Sequence, residues 1–84
     1  VCLQKVYGEN KVKVSNTLNA KTNCVLVSAH YSDGENPAFT DAVTQRLEMN
    51  PYEIKEYYSS ENTKWFVIDG FDNIKPLSQS VYIQ

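Results

Sequence analysis

Two segments of this 84-residue chain are apolar at odd and even positions alike, and no other feature constrains the fold as strongly. They are Cys24–Tyr31 (CVLVSAHY) and Lys64–Asp69 (KWFVID). A strand that projects apolar side chains from both faces belongs inside a sheet, where both faces are covered. We therefore expect two central strands, and the rest of the chain must provide cover for two faces.

Four other segments have weaker or alternating strand patterns: Val1–Tyr7, Lys11–Ser15, Tyr52–Tyr58 and Ser80–Gln84. The second alternates strictly, so Val12 and Val14 are expected to face the core. The first two are expected to form a hairpin, and the last to be an edge strand. A polar turn of hairpin length, 59–62, follows the third segment.

The segment between Asn36 and Pro51 has the period of a helix. Asn36 is suited to cap the first turn, and Pro37 fits the first helical position because its φ is already helical. Pro51 disfavours the α conformation at Asn50. We therefore expect one helix at about 37–49.

Arg46 is the anomaly in that helix, because it falls in the apolar stripe of Phe39, Ala42, Val43 and Leu47. The favoured interpretation is structural: its stem packs on the core while the guanidinium reaches solvent or pairs with Asp69 or Asp72. The alternative places Arg46 at an interface or at a site for an anionic ligand.

These elements predict a single α+β domain over residues 1–84, with the order β-β-β-α-β-β-β and a small antiparallel sheet or partly closed barrel. One helix covers only one face of the sheet. The other face must be covered by closure into a barrel or sandwich, or by a partner. A small barrel of the oligonucleotide/oligosaccharide-binding architecture is compatible with this order. Phe71, Ile74 and Leu77 are expected to tuck under as a plug.

Cys2 and Cys24 are the two cysteines, and they favour a disulfide in a small exported domain. Such a bridge would contribute roughly 3 kcal/mol. The alternative is two unconnected buried thiols. The chain begins with Val1 rather than Met, which favours a mature secreted or periplasmic form over a piece of a longer protein.

Charge and motifs argue against several other classes of function. A net charge of −2 gives no electrostatic footprint for nucleic acid. No apolar run approaches the roughly 18 residues of a membrane-spanning helix. The acidic turn Asp33-Gly34-Glu35 lacks the later ligands of a calcium loop, and no other spacing indicates a metal or a cofactor. We expect none.

His30 is the single histidine, and Ser32 and Asp33 lie close to it in sequence. A catalytic triad depends on geometry, and neighbouring residues of a strand point to opposite faces. Cys24 would lie roughly 20 Å from His30 along a strand, too far for a thiol nucleophile. We therefore expect no enzyme, and a small hydrolase that uses His30 is the third-ranked function.

Tyrosine is enriched, with six residues beside one tryptophan. Tyr and Trp are typical of binding surfaces, although small β-domains also use them to fill the core. Tyr57 is the preferred exposed contact because it shares a strand face with Lys55 and Glu53. The predicted partner-binding residues are Tyr57, Arg46, Tyr31, Tyr52 and Trp65.

The first-ranked function is a small exported protein-binding module: an inhibitor, a blocker, or a subunit of an exported assembly such as a toxin. Its partner would be another protein or a second copy of the chain. The alternative is a barrel-type module that binds carbohydrate or another small ligand through the same aromatic side chains.

Overall fold

The computed structural model describes residues 1–72 and 74–84, and within them it contains strands and no helix. The seven strands are β1 (Cys2–Lys5), β2 (Lys11–Ser15), β3 (Thr22–Tyr31), β4 (Phe39–Met49), β5 (Ile54–Tyr58), β6 (Thr63–Ile68) and β7 (Val81–Ile83). They form two antiparallel sheets. One has three strands in the order β1-β2-β5, and the other has four in the order β4-β3-β6-β7.

The four-stranded sheet is built around β3, which pairs with β4 along one edge and β6 along the other. β7 continues the sheet on the far side of β6, where it is the predicted edge strand. β3 and β6 are therefore both central. Their apolar residues at odd and even positions correspond to two apolar sheet faces, as the sequence pattern predicts.

The three-stranded sheet packs against one of those faces. β1 and β2 form the predicted hairpin, and Val12 and Val14 of β2 are fully buried. The core between the sheets consists of Leu3, Val12, Val14, Cys24, Leu26, Leu47, Met49, Trp65, Val67 and Ile83. A second sheet thus covers the face that the sequence assigned to a helix.

The predicted helix at 37–49 is wrong, and with it the α+β class and the partly closed barrel. The segment forms β4 and pairs with β3 from Met49↔Thr22 to Phe39↔Tyr31. A helix of this length is marginal in water unless tertiary packing stabilises it. Pairing with β3 gives the backbone its hydrogen bonds, and the β-branched Val43 and Thr44 suit a strand.

The predicted Cys2–Cys24 disulfide is also wrong, since both cysteines are free thiols. Cys24 is buried in the core between the sheets. Cys2 precedes the buried Leu3 on β1, so strand alternation directs its side chain to the opposite face.

The predicted hairpin turn at 59–62 is a link between the two sheets, because β5 pairs with β2 whereas β6 pairs with β3. The predicted plug is formed only in part. Leu77 packs against the core, but Phe71 and Ile74 are exposed.

Asn16 joins two of the connections between the sheets. It is buried, and its Nδ2 donates to the carbonyls of Ala20 at 2.8 Å and Asn50 at 2.9 Å. Its Oδ1 accepts from the backbone N–H of Leu18 at 3.2 Å. One side chain therefore holds the β2–β3 connection against the β4–β5 connection.

Candidate functional site on the outer face of the four-stranded sheet

The four-stranded sheet has a second face, directed away from the three-stranded sheet, which we call the outer face. Strand alternation and register place on it Asn23, Val25, Val27, Ala29, Tyr31, Phe39, Ala42, Thr44, Arg46, Glu48, Lys64, Phe66, Ile68 and Tyr82. Val25 and Ala29 are buried. Most of these side chains are apolar or aromatic. No second sheet covers them in the described part of the chain.

An apolar groove of about 470 Å³ lies on the outer face between β6 and the segment that follows it. Val27, Phe66 and Ile68 line it from the sheet, while Ile74 and Pro76 line it from the segment after β6. Ile74 is 74% exposed, so the groove has an apolar rim that is open to solvent.

Backbone hydrogen bonds hold that rim against β6. Asp69 N donates to Lys75 O at 3.0 Å, and Leu77 N donates to Val67 O at 2.9 Å. Pro76 forms an isolated bridge with Ile68. The groove is therefore formed by the sheet and by a segment tied to its edge.

An aromatic cleft of about 440 Å³ lies at the other end of the outer face. It is lined by Tyr31, Pro37, Lys64 and Tyr82. The rings of Tyr31 and Tyr82 are 6.3 Å apart and tilted by 54°, and Phe39 meets Tyr31 edge-on at 6.0 Å. At these distances the three rings contact one another, and together they form one side of an open cleft.

Asn62, in the link between β5 and β6, positions both tyrosines of the cleft. Its carbonyl accepts from Tyr31 N at 2.9 Å, and its Oδ1 accepts from Tyr82 OH at 3.5 Å. Its Nδ2 donates to Asp33 Oδ1 in the β3–β4 loop. Asn62 has φ 55°, a left-handed conformation that asparagine tolerates better than most residues.

Two cations lie on aromatic rings at this face. Lys64 Nζ is 5.5 Å from the Phe66 ring centroid, between the cleft and the groove. Arg46 Cζ is 4.7 Å from the Phe71 ring centroid. Such contacts contribute about 0.5–1 kcal/mol at exposed sites, so each mainly fixes where its charge lies.

Beside the outer face, β4 is an edge strand of its sheet. Every residue from 39 to 46 is exposed, so this part of β4 extends beyond the cover of the three-stranded sheet. The free edge widens the surface available for contact.

The five predicted partner-binding residues do not form one surface. Tyr31 and Arg46 lie on the outer face, whereas Tyr52 lies in the β4–β5 turn with φ 59°. Trp65 is only 8% exposed, and Tyr57 stacks on it with ring centroids 6.4 Å apart. Their roles in binding stay predictions, but the predicted exposure of Tyr57 is not found.

The register of β5 explains the position of Tyr57. It pairs with Val12, and Lys55 pairs with Val14, so both lie on the face that β2 turns to the core. The Lys55 side chain extends to the surface, where its Nζ donates to Glu48 O at 3.4 Å. Ile54 and Tyr58 are exposed instead, the reverse of the predicted face.

Sequence reasoning missed Phe66, Ile68, Tyr82 and Lys64 as site residues. The signal for Phe66 and Ile68 was present in the doubly apolar pattern of β6, since Trp65 and Val67 fill only one of its faces. Tyr82 and Lys64 carried no comparable signal, because their relation to Tyr31 depends on strand order.

His30 lies on the inner parity of β3 and pairs with Asp41 across the strands, with Nδ1 2.9 Å from Asp41 Oδ1. Thr40 Oγ1 donates to His30 O at 3.0 Å. A base and an orienting carboxylate are two members of a triad, which also requires a nucleophile bonded to the other ring nitrogen. The hydrolase reading of His30 stays a prediction.

Among residues 1–72 and 74–84, no group of three or more His, Cys, Asp or Glu side chains could hold a metal ion. In the same part of the chain, no helix is long and apolar enough to cross a membrane. Comparisons of the chain with family models, with curated proteins and with solved structures find no match.

Proposed function

We propose that this protein is a protein-binding module whose contact surface is the outer face of the four-stranded sheet. The observation that carries the proposal is a largely apolar sheet face that no second sheet covers in the described part of the chain, with Phe39, Ile74 and Tyr82 exposed along it. Contiguous exposed apolar surface on a small domain is typical of interaction sites. The cysteines no longer argue for export, because they form no disulfide.

The composition of the surface supports a protein partner. Aromatic anchors beside pockets, with charges at the rim, are the features that dominate protein–protein binding energy. Phe66 and Tyr82 provide aromatic area, and Lys64 provides a rim charge. Because strands hold most of these side chains, little order has to be gained on binding.

Site-specific photocrosslinking tests the proposal. A photoreactive phenylalanine analogue at Phe66 is expected to capture one protein from the source cells or their medium, and Tyr82→Ala should reduce that yield at least fivefold. The same analogue at Ile54, which is 59% exposed on the other sheet, is the control and should not capture that protein. Equal capture from both positions, or capture from Ile54 alone, contradicts the proposal.

A carbohydrate-binding module is the second candidate, favoured by the polar groups beside the aromatic cleft. Asn62 and Asp33 lie next to Tyr31 and Tyr82, and sugars combine ring stacking with hydrogen bonds to such groups. A glycan array tests it: saturable binding that Tyr82→Ala abolishes would favour this candidate over a protein partner.

A further inference from the structure

We propose that the outer face recognises a proline-rich segment of another protein in the extended polyproline II conformation, with an acidic residue between two prolines. This inference rests on the proposed function and names the partner's chemistry. One proline would enter the aromatic cleft, and the other would enter the apolar groove.

Aromatic side chains line the cleft. The Tyr31 and Tyr82 rings contact each other, tilted by 54° with centroids 6.3 Å apart, and form one side of an open cleft that Pro37 and Lys64 also line. A pyrrolidine ring is compact and apolar, so it can pack against this pair of rings. Aromatic-lined grooves are the recurrent receptors for polyproline II segments, whose preformed shape loses little entropy on binding.

The spacing of the two cavities matches the ligand. Lys64 lines the cleft, and Phe66 and Ile68 line the groove, which places them two and four residues further along β6. At roughly 3.3 Å per residue, the groove lies about 7–13 Å from the cleft. Two prolines three residues apart in polyproline II are separated by about 9 Å.

The charge between the cavities specifies the intervening residue. Lys64 Nζ is held 5.5 Å from the Phe66 ring centroid, at the boundary of cleft and groove. A carboxylate between the two prolines would meet this ammonium. Lys64 is only half-buried, and attraction at a position that solvent reaches affects selectivity between partners more than total affinity.

The outer face fits this ligand better than the free edge of β4 does. Addition of a strand to a sheet edge requires backbone N–H donors on the incoming segment, and proline has none. A proline-rich segment binds through side-chain surfaces instead, as the cleft and groove provide.

Peptide titration followed by amide chemical shifts tests the inference on the whole chain. The probe is a peptide of about ten residues containing Pro-Ala-Glu-Pro, compared with versions in which both prolines are alanine or the glutamate is lysine. We expect saturable shifts at Tyr31, Lys64 and Tyr82, and affinity at least tenfold weaker for the alanine peptide.

Two sets of variants localise the binding. Tyr31→Ala and Tyr82→Ala should each weaken binding about tenfold, whereas Tyr7→Ala, at a tyrosine 100% exposed outside this face, should leave it unchanged. Lys64→Glu should reverse the preference between the glutamate and lysine peptides.

Equal binding of the proline and alanine peptides, or no saturable shifts, would overturn the inference. This comparison uses the unmodified protein, so it does not depend on any variant folding. If the peptide fails while crosslinking from Phe66 still captures a partner, the proposed function stands and only the peptide class is wrong. If crosslinking also fails, both are wrong.

Discussion

At the scale of single residues, Asn16 is the polar side chain on which the packing of the two sheets most depends. It is fully buried, and its amide serves carbonyls from two different connections. Buried polar groups without partners cost about 1–3 kcal/mol each. The structure therefore predicts a large effect from a change that removes very little volume.

Asn16→Ala is expected to lower the free energy of unfolding by about 3 kcal/mol, because the part-buried carbonyl contacts of Ala20 and Asn50 and the buried contact of Met49 lose their donor. Urea unfolding measures the change. Asn19→Ala is the matched control, since Asn19 is exposed in the same connection and should alter stability by less than about 0.5 kcal/mol. Equal effects of the two variants would show that the Asn16 hydrogen bonds do not hold the connections together.

The two thiols should differ in their rates of alkylation. Cys24 is buried, and burial raises the pKa of its thiol. The N-terminal ammonium and Lys55 lower that pKa by a smaller amount. The thiolate is the reactive form, so Cys24 should react only when the fold opens. Cys2 is half-buried and should react at least tenfold faster in the native protein.

Mass spectrometry after a timed pulse of iodoacetamide measures both rates, and urea provides the control in which the rates should converge. If the mass rises by two hydrogens on reduction and neither thiol is free beforehand, the two cysteines form a disulfide and the free thiols of the structure are wrong.

Ionisation of the Tyr57 phenol should make the stability of the protein depend on pH in the alkaline range. Burial is the main cause that raises the pKa of its phenol above the ordinary value of 10.0, with Cys24 and Glu53 adding to it. A raised folded-state pKa gives stability that is complete below the unfolded pKa and is lost as pH rises through the folded pKa. The Cys24 thiol acts in the same direction from its ordinary value of 9.0.

Tyr57→Phe should therefore lose less stability than the unmodified protein between about pH 9 and pH 11, while its stacking on Trp65 is kept. Urea unfolding at several pH values measures this. Tyr58→Phe is the control because Tyr58 is 83% exposed. If both variants follow the unmodified protein, ionisation of Tyr57 is not coupled to folding.

At the scale of elements, β4 shows where local signals mislead. Pro37 and Pro51 correctly marked the ends of an element, but proline bounds strands as well as helices. What decided between them was β3, whose free edge offers ten residues of backbone pairing. Pairing with another strand cannot be deduced from the period of the segment itself.

A peptide of residues 36–51 tests this explanation. We expect it to be unfolded in water and helical in trifluoroethanol, which favours local hydrogen bonds. The intact protein should show a β-type far-UV circular dichroism spectrum. A helical contribution from residues 37–49 in the intact protein would contradict the strand assignment.

The other strands show what could be predicted without a partner strand. Six of the seven carried a pattern in their own sequence, and strict alternation placed Val12 and Val14 in the core. For β5, both faces contain aromatic residues, so the pattern alone could not choose between them. The register with β2 turns the face of Lys55 and Tyr57 toward the core.

For the molecule as a whole, the two doubly apolar strands, β3 and β6, determine how the sheets are arranged. They predicted two faces that need cover, and the structure shows one face covered by the three-stranded sheet. The outer face retains a groove, an aromatic cleft and an exposed edge strand. The site could be anticipated from the sequence only as an uncovered face, because its residues come together through the order of the strands.

Hydroxyl-radical footprinting of the isolated protein tests the arrangement in which the three-stranded sheet covers one face of the four-stranded sheet while side chains at the other face reach solvent. Met49 is fully buried between the sheets and should resist oxidation until the protein unfolds, although methionine is an easily oxidised residue. Phe66, Ile74 and Tyr82 should be modified in the native state. Rapid native oxidation of Met49, or protection of those three side chains in the monomer, would contradict it.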